Sequence, residues 1–547
     1  MNNILKYFFI LSVVLLGAFY SWYTCGKSLI GIDDANIYFA YMRNFAEGKG
    51  FIFTNGGERV EGFTSLLWTL IGSFYYLFSK NIEILLFVTN IITLSFALYK
   101  LMNLLDQIFG FQQIISTNSI LILGCLLLSP GYFEWTVLSL METGLWSSLL
   151  ILISVNLLKL FLNQNRSKIE YQVLIILLVL CRPESILWVS FFILIEFIYH
   201  KKSMNKKLTE SLGLIKSSIL TFIFSLLLLH AFRYYYFSFL FPNTFYAKVS
   251  LDFWYNVKQG LTYVRIGIEN NPSFLISILL SIFVFIDLIN KKLFFKNSNY
   301  LLIFGVQFLT CLIPLLTGGD HFGLSRFMVP TFPIAFLFII FFINDNNFKL
   351  NFLATFVFLF FIVFVNKNTF YFNFKYQFSP IAFEWSLPIE GRENARKSND
   401  FFKELKRYPT HGIHMAGGIN YEYKGKSIDL LGLNNVEMAH ADKVKERGLF
   451  KNHASFNKNI FYKQLPDLIW SDGKFIKSDT VFEKINIYPR HKIMYKQIYS
   501  DKKFKNKYSF VVISKNNYNE KLAILASNTF LNNLNKEIYT YKKIDFE

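Results

Sequence analysis

Two aspartates, Asp33 and Asp34, stand side by side directly after the first apolar run of the chain, inside the polar stretch Gly31 to Trp68. Adjacent carboxylates at the mouth of a membrane are costly unless they are solvated, paired or used. One of them serves as an N-cap for a helix that begins Ala35-Asn36-Ile37-Tyr38 and runs to Ala46, where acids favour the first turn. The other needs a different reason, and taking a proton from a hydroxyl is the natural one in an outward cavity. Nearby cations would keep it ionised and accepting. In the same stretch, Gly56-Gly57-Glu58-Arg59-Val60-Glu61-Gly62 marks a turn before an apolar helix. Glu61 is placed there to position an acceptor, and Arg59 to pair with a carboxylate or a phosphate.

Four further polar groups interrupt the apolar sequence. Glu142 precedes Thr143-Gly144 at the lip of a span, a position that also suits an ordinary helix-start acid. Arg182-Pro183-Glu184 joins two short apolar runs, so the turn is expected to sink below the membrane surface, where an arginine needs an anion. Either Glu184 or a lipid phosphate supplies it, and the planar guanidinium suits phosphate. Pro242 to Lys248, PNTFYAK, reads as an aromatic interfacial anchor ending in a snorkelling lysine. In Gly318-Gly319-Asp320-His321 the paired glycines permit positive φ or close backbone approach, and Asp320 is within sequence reach of Arg326 for an ion pair.

The elements that must position these groups are membrane spans. The 547 residues are 53% hydrophobic and 19% aromatic, with mean hydropathy +0.34, too apolar for a soluble chain of this size. Apolar runs predict about eleven spans: Ile4 to Tyr23, Ile82 to Leu105, Ile114 to Pro130, Gly144 to Phe161, Tyr171 to Cys181, Ser185 to Tyr199, Leu212 to Phe232, Pro272 to Ile289, Tyr300 to Thr317, Met328 to Ile343 and Leu350 to Val365. The run Phe63 to Phe78 is shorter and polar-punctuated. If it only dips into the outer interface and the N-terminus is cytoplasmic, the basic loops around Lys159/Arg166/Lys168, Lys201/Lys202/Lys206/Lys207, Lys291/Lys292/Lys296 and, weakly, Lys349 all fall in the cytoplasm, as the positive-inside rule requires. The same parity puts every polar segment above on the outer face.

Much of the net charge of +19 is thereby explained by loop topology rather than by nucleic acid. The cysteines Cys25, Cys125, Cys181 and Cys311 lie in or beside spans and show neither disulfide nor metal spacing. Residues 1–367 are expected to form the transmembrane unit, with 31–80 as its first outer loop. Residues 368–547 are expected to form a soluble extracytoplasmic domain, α/β or β-rich, from pieces such as Gly412 to Ile419, Ser427 to Leu433, Asp467 to Trp470 and Phe510 to Ile513. His411, His414, His440 and His453 there lack metal-ligand spacing.

At these residues the chain resembles the GT-C superfamily of polyprenyl-phosphate-sugar-dependent glycosyltransferases. DDANIYFAYMRNFAEG followed by GERVEGFTSLLW is similar to the acidic first-loop motif of that superfamily. The set DDA-x-I, GERVEG(F/Y)T, LS-x-x-ET (Leu138 to Thr143), LCRPE (Leu180 to Glu184), PNTFYAK, GGDHF with RF-x-VP-x-x-P, and IDLLGLNN resembles its terminal arabinofuranosyltransferase and pilin arabinosyltransferase branch, over about Asp33 to Asn435. One departure is Leu140-Met141, where that branch tends to have Gly-Leu.

The resemblance implies a GT-C-like helical membrane fold in the bacterial cytoplasmic membrane. It also implies inverting transfer of a sugar, often arabinofuranose, from a polyprenyl-phosphate donor to a hydroxyl of a glycan or glycoprotein outside the cytoplasm. Asp33 matches the catalytic acidic position with Asp34 beside it, Glu61 the second loop carboxylate, Glu142 the acid of the second outer loop, and Arg182 the cation near the donor phosphate. Asp33, with Asp34 as partner or substitute, is then the base, and Arg182, Lys248 and Arg326 stabilise the departing phosphate; Arg59, Glu184, Asp320 and His321 complete the expected binding set. No metal is required, although an acidic pair can recruit one. A lipid-linked-sugar flippase would show pseudo-symmetric halves with broken mid-membrane helices, and no such repeat is visible; a non-catalytic polysaccharide assembly protein is the third reading.

Overall fold

The first apolar run forms α1 (Asn2–Thr24), and the polar stretch after it folds into α2 (Asp33–Ala46) and α3 (Leu66–Tyr76). These come from a computed structural model that describes residues 2–110, 113, 115–345, 352–365, 379–442, 455–478, 484–485 and 487–546. Lys349, the expected domain boundary and His453 lie outside the described residues. The helices that follow are α4 (Ile82–Phe109), α5 (Thr117–Leu127), α6 (Thr143–Phe161), α7 (Lys168–Cys181), α8 (Ser185–Ile198), α9 (Leu208–Phe237), α10 (Asn243–Lys248), α11 (Phe253–Glu269), α12 (Pro272–Asn290), α13 (Ser298–Thr317), α14 (Phe332–Ala335), α15 (Leu337–Asp345) and α16 (Phe352–Val365).

Among the described residues six of these, α1, α4, α6, α9, α12 and α13, are long and apolar enough to cross a membrane. The apolar runs predict about eleven spans, some of which reach residues outside those described. Helices α5 and α7 have 11 and 14 residues, or about 16 to 21 Å at 1.5 Å per residue, against about 30 Å of hydrocarbon; α8 runs on directly into a π-helical turn, Tyr199–Ser203. The Met328 to Ile343 run is broken into a 3₁₀ turn, α14 and α15, with prolines at Pro330 and Pro333. Apolar content marks each run, but length in one unbroken helix decides whether it crosses. Helix α3 has only 11 residues, roughly half the membrane core. Its first turn is capped by Ser65, whose hydroxyl accepts from the Trp68 amide at 3.1 Å.

After the membrane unit, α17 (Phe383–Phe401) leads into a seven-stranded sheet with order β2-β1-β3-β6-β5-β7-β4. Its elements are β1 (His411–Ile413), α18 (Gly418–Glu422), β2 (Ser427–Asp429), α19 (Val436–Ala441), α20 (Lys458–Gln464), β3 (Leu468–Lys477), β4 (Lys484–Ile485), β5 (Tyr508–Lys515), β6 (Glu520–Ser527) and β7 (Tyr539–Phe546). The β1–α18–β2 crossover makes a parallel pair, whereas β3, β6, β5 and β7 are antiparallel. The domain is therefore a mixed sheet flanked by helices. Its first hydrophobic core is continuous with that of the membrane unit: Trp385, Ala395 and Phe401 belong to the same buried cluster as Phe39 and Trp68.

Three features fix the first loop against this domain. The Asp33 carboxylate accepts from the Gly417 and Gly418 amides at 2.9 and 2.8 Å, Arg43 donates to the Tyr421 carbonyl at 2.6 Å, and Asn420 donates to the Phe53 carbonyl at 2.8 Å. Gly417 is obligatory here, because a Cβ would fall 1.8 Å from the Asp33 carbonyl oxygen.

Candidate functional site

A cavity of about 490 Å³ opens where α2, the Gly62-Phe63-Thr64 segment, the α7–α8 turn, the end of α9, α10, the end of α13 and the C-terminal domain meet. One part of its wall is apolar, with Ile186, Leu187, Phe241, Phe245, Ile313 and Leu316. The other carries Asp34, Glu142, Arg182, Glu184, Arg233, Lys248, Asp320 and Arg326. Seven of these eight are expected site residues, so the polar segments that interrupt the apolar sequence converge on one space.

Asp34 is the carboxylate that faces this cavity. Its Oδ2 lies 3.8 Å from Lys248 Nζ and 3.7 Å from Arg326 Nη1, at the edge of ion-pair distance, which leaves room for a third charged group. Asp33 does not line it. Helix geometry explains the split: consecutive helical residues point about 100° apart, so one carboxylate meets the C-terminal domain when the other meets the cavity. Removal from water pushes the Asp33 carboxyl up to about 6, against the pull of its two backbone donors. Neither aspartate is the N-cap; that position is Ile32, which has no side-chain cap.

The arginines divide into two kinds. Arg182, 4% exposed, is held by Glu142 through Nη1 and by Glu184 through Nε at 3.2 Å and Nη2 at 3.1 Å, with Trp146 and Phe327 on its flanks. Its anion is thus supplied by protein. Arg326, also 4% exposed, pairs with Asp320 through Nη2 and packs over Phe322 at 4.4 Å, while its buried Nε and Nη1 have no hydrogen-bond partner. Unsatisfied buried guanidinium donors are expensive, and an oxyanion in the cavity would satisfy them. Glu142 contributes a matching orphan: its Oε2 is buried without a partner, and Thr64 Oγ1 approaches its Oε1 at 3.5 Å.

The remaining expected residues lie elsewhere. Glu61 does not line the cavity: Arg233 Nε donates to both its oxygens at 3.0 and 2.9 Å and Nη2 to Oε1 at 2.9 Å. Burial pushes the Glu61 carboxyl up to about 7, although Arg233 pulls the other way. It ties the first loop to α9. Arg59 is exposed and stacks on Tyr236 at 4.8 Å. His321 is exposed, 3.2 Å from Asp320, and packs on Phe322 at 4.1 Å. The glycine reading holds, since Gly318 and Gly319 have φ of +83° and +68°, and a Cβ at Gly319 would meet the Tyr263 ring at 2.4 Å.

Sequence reasoning missed Arg233, His230 and Glu384. His230 lines the cavity, with Nδ1 2.9 Å from the Leu226 carbonyl. Glu384, on α17 and 6% exposed, is pushed up to about 8 by burial and then by Asp34, Asp33 and Asp320. Arg233 and His230 sit inside an apolar helical run, and an intramembrane ionisable residue is itself the signal that marks them. Glu384 has no local signal, because only the folded chain brings it to the aspartates. Leu140 takes φ of +57° while fully buried, directly after the π-helical turn Glu134–Leu138; its carbonyl accepts from Trp68 Nε1 at 3.0 Å. The left-handed backbone is where glycine is at ease, and this is the position at which the sequence departs from the resembled motif.

Among the described residues no group of three or more His, Cys, Asp or Glu is arranged to hold a metal ion. His411 stacks on Tyr423 at 3.7 Å, His414 lies against His491 at 4.7 Å, and His440 packs between Phe239 and Tyr246. The four cysteines are free thiols.

The architecture is a largely helical membrane unit with a C-terminal mixed-sheet domain, and it is similar to archaeal oligosaccharyltransferases of known structure. No protein-family model matches the sequence, and no curated protein matches it. The apo Archaeoglobus fulgidus oligosaccharyltransferase matches with TM-score 0.47 and 12% identity over 77% of this chain and 64% of that one; the chain thus spans less than two thirds of that protein. The same organism's oligosaccharyltransferase AglB, in complex with an inhibitory peptide and a dolichol-phosphate, matches with TM-score 0.46 and 11% identity over 94% of this chain and 74% of that one. The Archaeoglobus fulgidus oligosaccharyltransferase of the first comparison, in complex with zinc and sulfate, gives 0.44 and 12% over 93% and 73%.

Proposed function

We propose that the protein is a glycosyltransferase of the cytoplasmic membrane. It transfers a sugar, arabinofuranose in the reading the sequence motifs favour, from a polyprenyl-phosphate donor to a hydroxyl of a cell-surface glycan or glycoprotein. The observation that carries this reading is the two-natured cavity. An apolar wall of Ile186, Leu187, Phe241 and Phe245 suits a prenyl chain, and Lys248 with the unpartnered donors of Arg326 suits its phosphate, by charge-assisted hydrogen bonding.

In the proposed reaction the acceptor oxygen attacks the anomeric carbon and the bond from that carbon to the phosphate oxygen breaks. The hydroxyl proton passes to Asp34, and polyprenyl phosphate departs with the bonding pair. Inversion follows from a single displacement. Asp34 is the base in this scheme because it borders the cavity beside both cations, whereas Asp33 is occupied by Gly417 and Gly418. Arg326 and Lys248 offset the charge that develops on the leaving phosphate, and Arg182, already neutralised by Glu142 and Glu184, holds the cavity wall.

The test is release of decaprenyl phosphate from radiolabelled decaprenyl-phosphoryl arabinofuranose by the purified full-length protein in nanodiscs, with arabinan oligosaccharide as acceptor and hexose-bearing donors in parallel. Label appearing on the oligosaccharide is the expected result. No transfer and no donor turnover with any pentosyl or hexosyl lipid would sink the reading.

A further inference from the structure

A second, smaller cavity of about 280 Å³ lies at the seam between the first loop and the C-terminal domain, bordered by Thr54, Gly57, Glu58 and Val60 on one side and by Lys426 to Asp429, Asn434, Asn435, Glu437 and Gln464 on the other. It is separated from the large cavity by little more than one backbone segment on each side: Val60 borders one and Gly62 the other, Asn434 one and Leu433 the other. The seam is rigidly built. Tyr41 donates to Asn434 Oδ1 at 3.0 Å, Asn434 Nδ2 donates to Asp429 at 2.9 Å, and the Val436 amide donates to Glu58 Oε1 at 3.0 Å. Two side-chain amides, Asn435 and Gln464, face each other as reciprocal donor and acceptor at 2.8 and 3.2 Å. Ser427, 4% exposed, borders the cavity, and its buried Oγ has no hydrogen-bond partner.

The chemistry of this lining selects its ligand. Three carboxylates, Asp429, Glu58 and Glu437, border the cavity with one ammonium, Lys426, and Lys463 pairs with Glu437; the balance stays acidic, so a phosphate or another anion is disfavoured. Three carboxylates in a cavity of about 280 Å³ leave no room for a long prenyl chain away from charge. The Lys426 ammonium donates, the carboxylates accept and the Ser427 hydroxyl can do either, with the Gln464 amide beside them, and a sugar hydroxyl is donor and acceptor at once. We propose that this seam is a binding subsite for a neutral glycan, the acceptor side of the transferase reading on which the proposal rests. The acceptor chain lies along the seam with its reacting end directed over the Gly62 and Leu433 segments toward Asp34.

The experiment measures binding of an arabinan hexasaccharide, with maltohexaose and an oligolysine peptide as comparisons, to the full-length protein in nanodiscs, alongside binding of decaprenyl phosphate. The wild type is expected to bind one of the two glycans. Lys426→Ala together with Gln464→Ala raises the glycan Kd by about tenfold, the loss of roughly two ordinary hydrogen bonds, and leaves decaprenyl phosphate binding unchanged. Ser427→Ala, which preserves packing, gives a smaller rise in the same direction. Arg326→Ala weakens decaprenyl phosphate and leaves the glycan alone, so failure of the lipid-phosphate reading is seen separately. Binding of neither glycan, binding of oligolysine in their place, or glycan binding undiminished in Lys426→Ala/Gln464→Ala overturns the proposal.

Discussion

Replacing each aspartate of the pair by asparagine separates their two tasks. Asp34→Asn keeps shape and removes only the ability to hold a proton, so transfer from a polyprenyl-phosphate donor should fall by about 10²- to 10⁴-fold, a barrier increase of roughly 3 to 5.5 kcal/mol. Folding should be little affected, because the contacts of Asp34 to Lys248 and Arg326 are long, at 3.8 and 3.7 Å. Asp33→Asn does the reverse. Its carboxylate accepts two backbone donors at 2.9 and 2.8 Å; asparagine keeps one acceptor and turns an N–H toward the other amide. Hydrogen bonds to a charged group are each worth about 1.5 to 3 kcal/mol, part of which asparagine retains, so a loss of about 1 to 3 kcal/mol is expected, read as a lower thermal midpoint. Transfer per folded molecule should stay within about tenfold of wild type, the margin of one repositioned side chain. Initial rates with labelled donor, normalised to folded protein by size-exclusion chromatography, give both numbers. A steep loss of transfer in Asp33→Asn with an unchanged midpoint, beside normal turnover in Asp34→Asn, would refute the assignment.

Removing Arg326 deletes donors that the protein itself leaves unpaired, so Arg326→Gln should raise the Kd for decaprenyl phosphate by about 10- to 100-fold, one or more charge-assisted hydrogen bonds, in a lipid-binding titration. Arg182→Ala strands Glu142 and Glu184 and should cost about 3 to 5 kcal/mol of stability, visible as reduced yield of folded protein and partly recovered by adding Glu142→Gln. Glu384 has its folded value raised to about 8, so the folded state binds the extra proton between the unfolded value and about 8. Stability from this group is complete below the unfolded value and declines as pH rises through that window, by at most about 1.4 kcal/mol per pH unit. Glu384→Gln should flatten the decline in thermal midpoint between pH 5 and 8. Leu140→Gly relieves about 1 to 2 kcal/mol of left-handed strain but empties a buried leucine site worth about 2 to 5 kcal/mol, so the midpoint should drop; a rise would show that backbone strain dominates there.

The sequence carried most of the site because the groups are ionisable and the background is not. Asp34, Glu142, Arg182, Glu184, Lys248, Asp320 and Arg326 are conspicuous between apolar helices, and the charge of the intervening loops placed them on one face before any contact was known. Direction was not legible. Whether Asp33 or Asp34 faces the cavity depends on where α2 begins and what docks against it, and Gly417 and Gly418 lie almost four hundred positions away. Glu61 was correctly marked as unusual but its partner, Arg233, is buried in the last turn of an apolar helix. The apolar runs outnumber the long helices for a simpler reason: hydropathy averages over a window, and a window does not register the short reach of α5 and α7. In the C-terminal domain β6, EKLAILAS, escaped notice because a strand buried on both faces loses the alternation that identifies strands.

The contacts that seat the first loop on the C-terminal domain also set the rules for recombining this protein with its relatives. Asp33 with Gly417 and Gly418, Arg43 with the Tyr421 carbonyl, Asn420 with the Phe53 carbonyl and Tyr41 with Asn434 join segments 367 to 393 positions apart in the sequence. A chimaera that swaps residues 379–546 alone would set a foreign surface against Gly31 to Gly62, whereas one that exchanges both pieces together would carry the matched surfaces intact. Acceptor preference, where it differs between relatives, should therefore travel with the pair and with neither piece by itself.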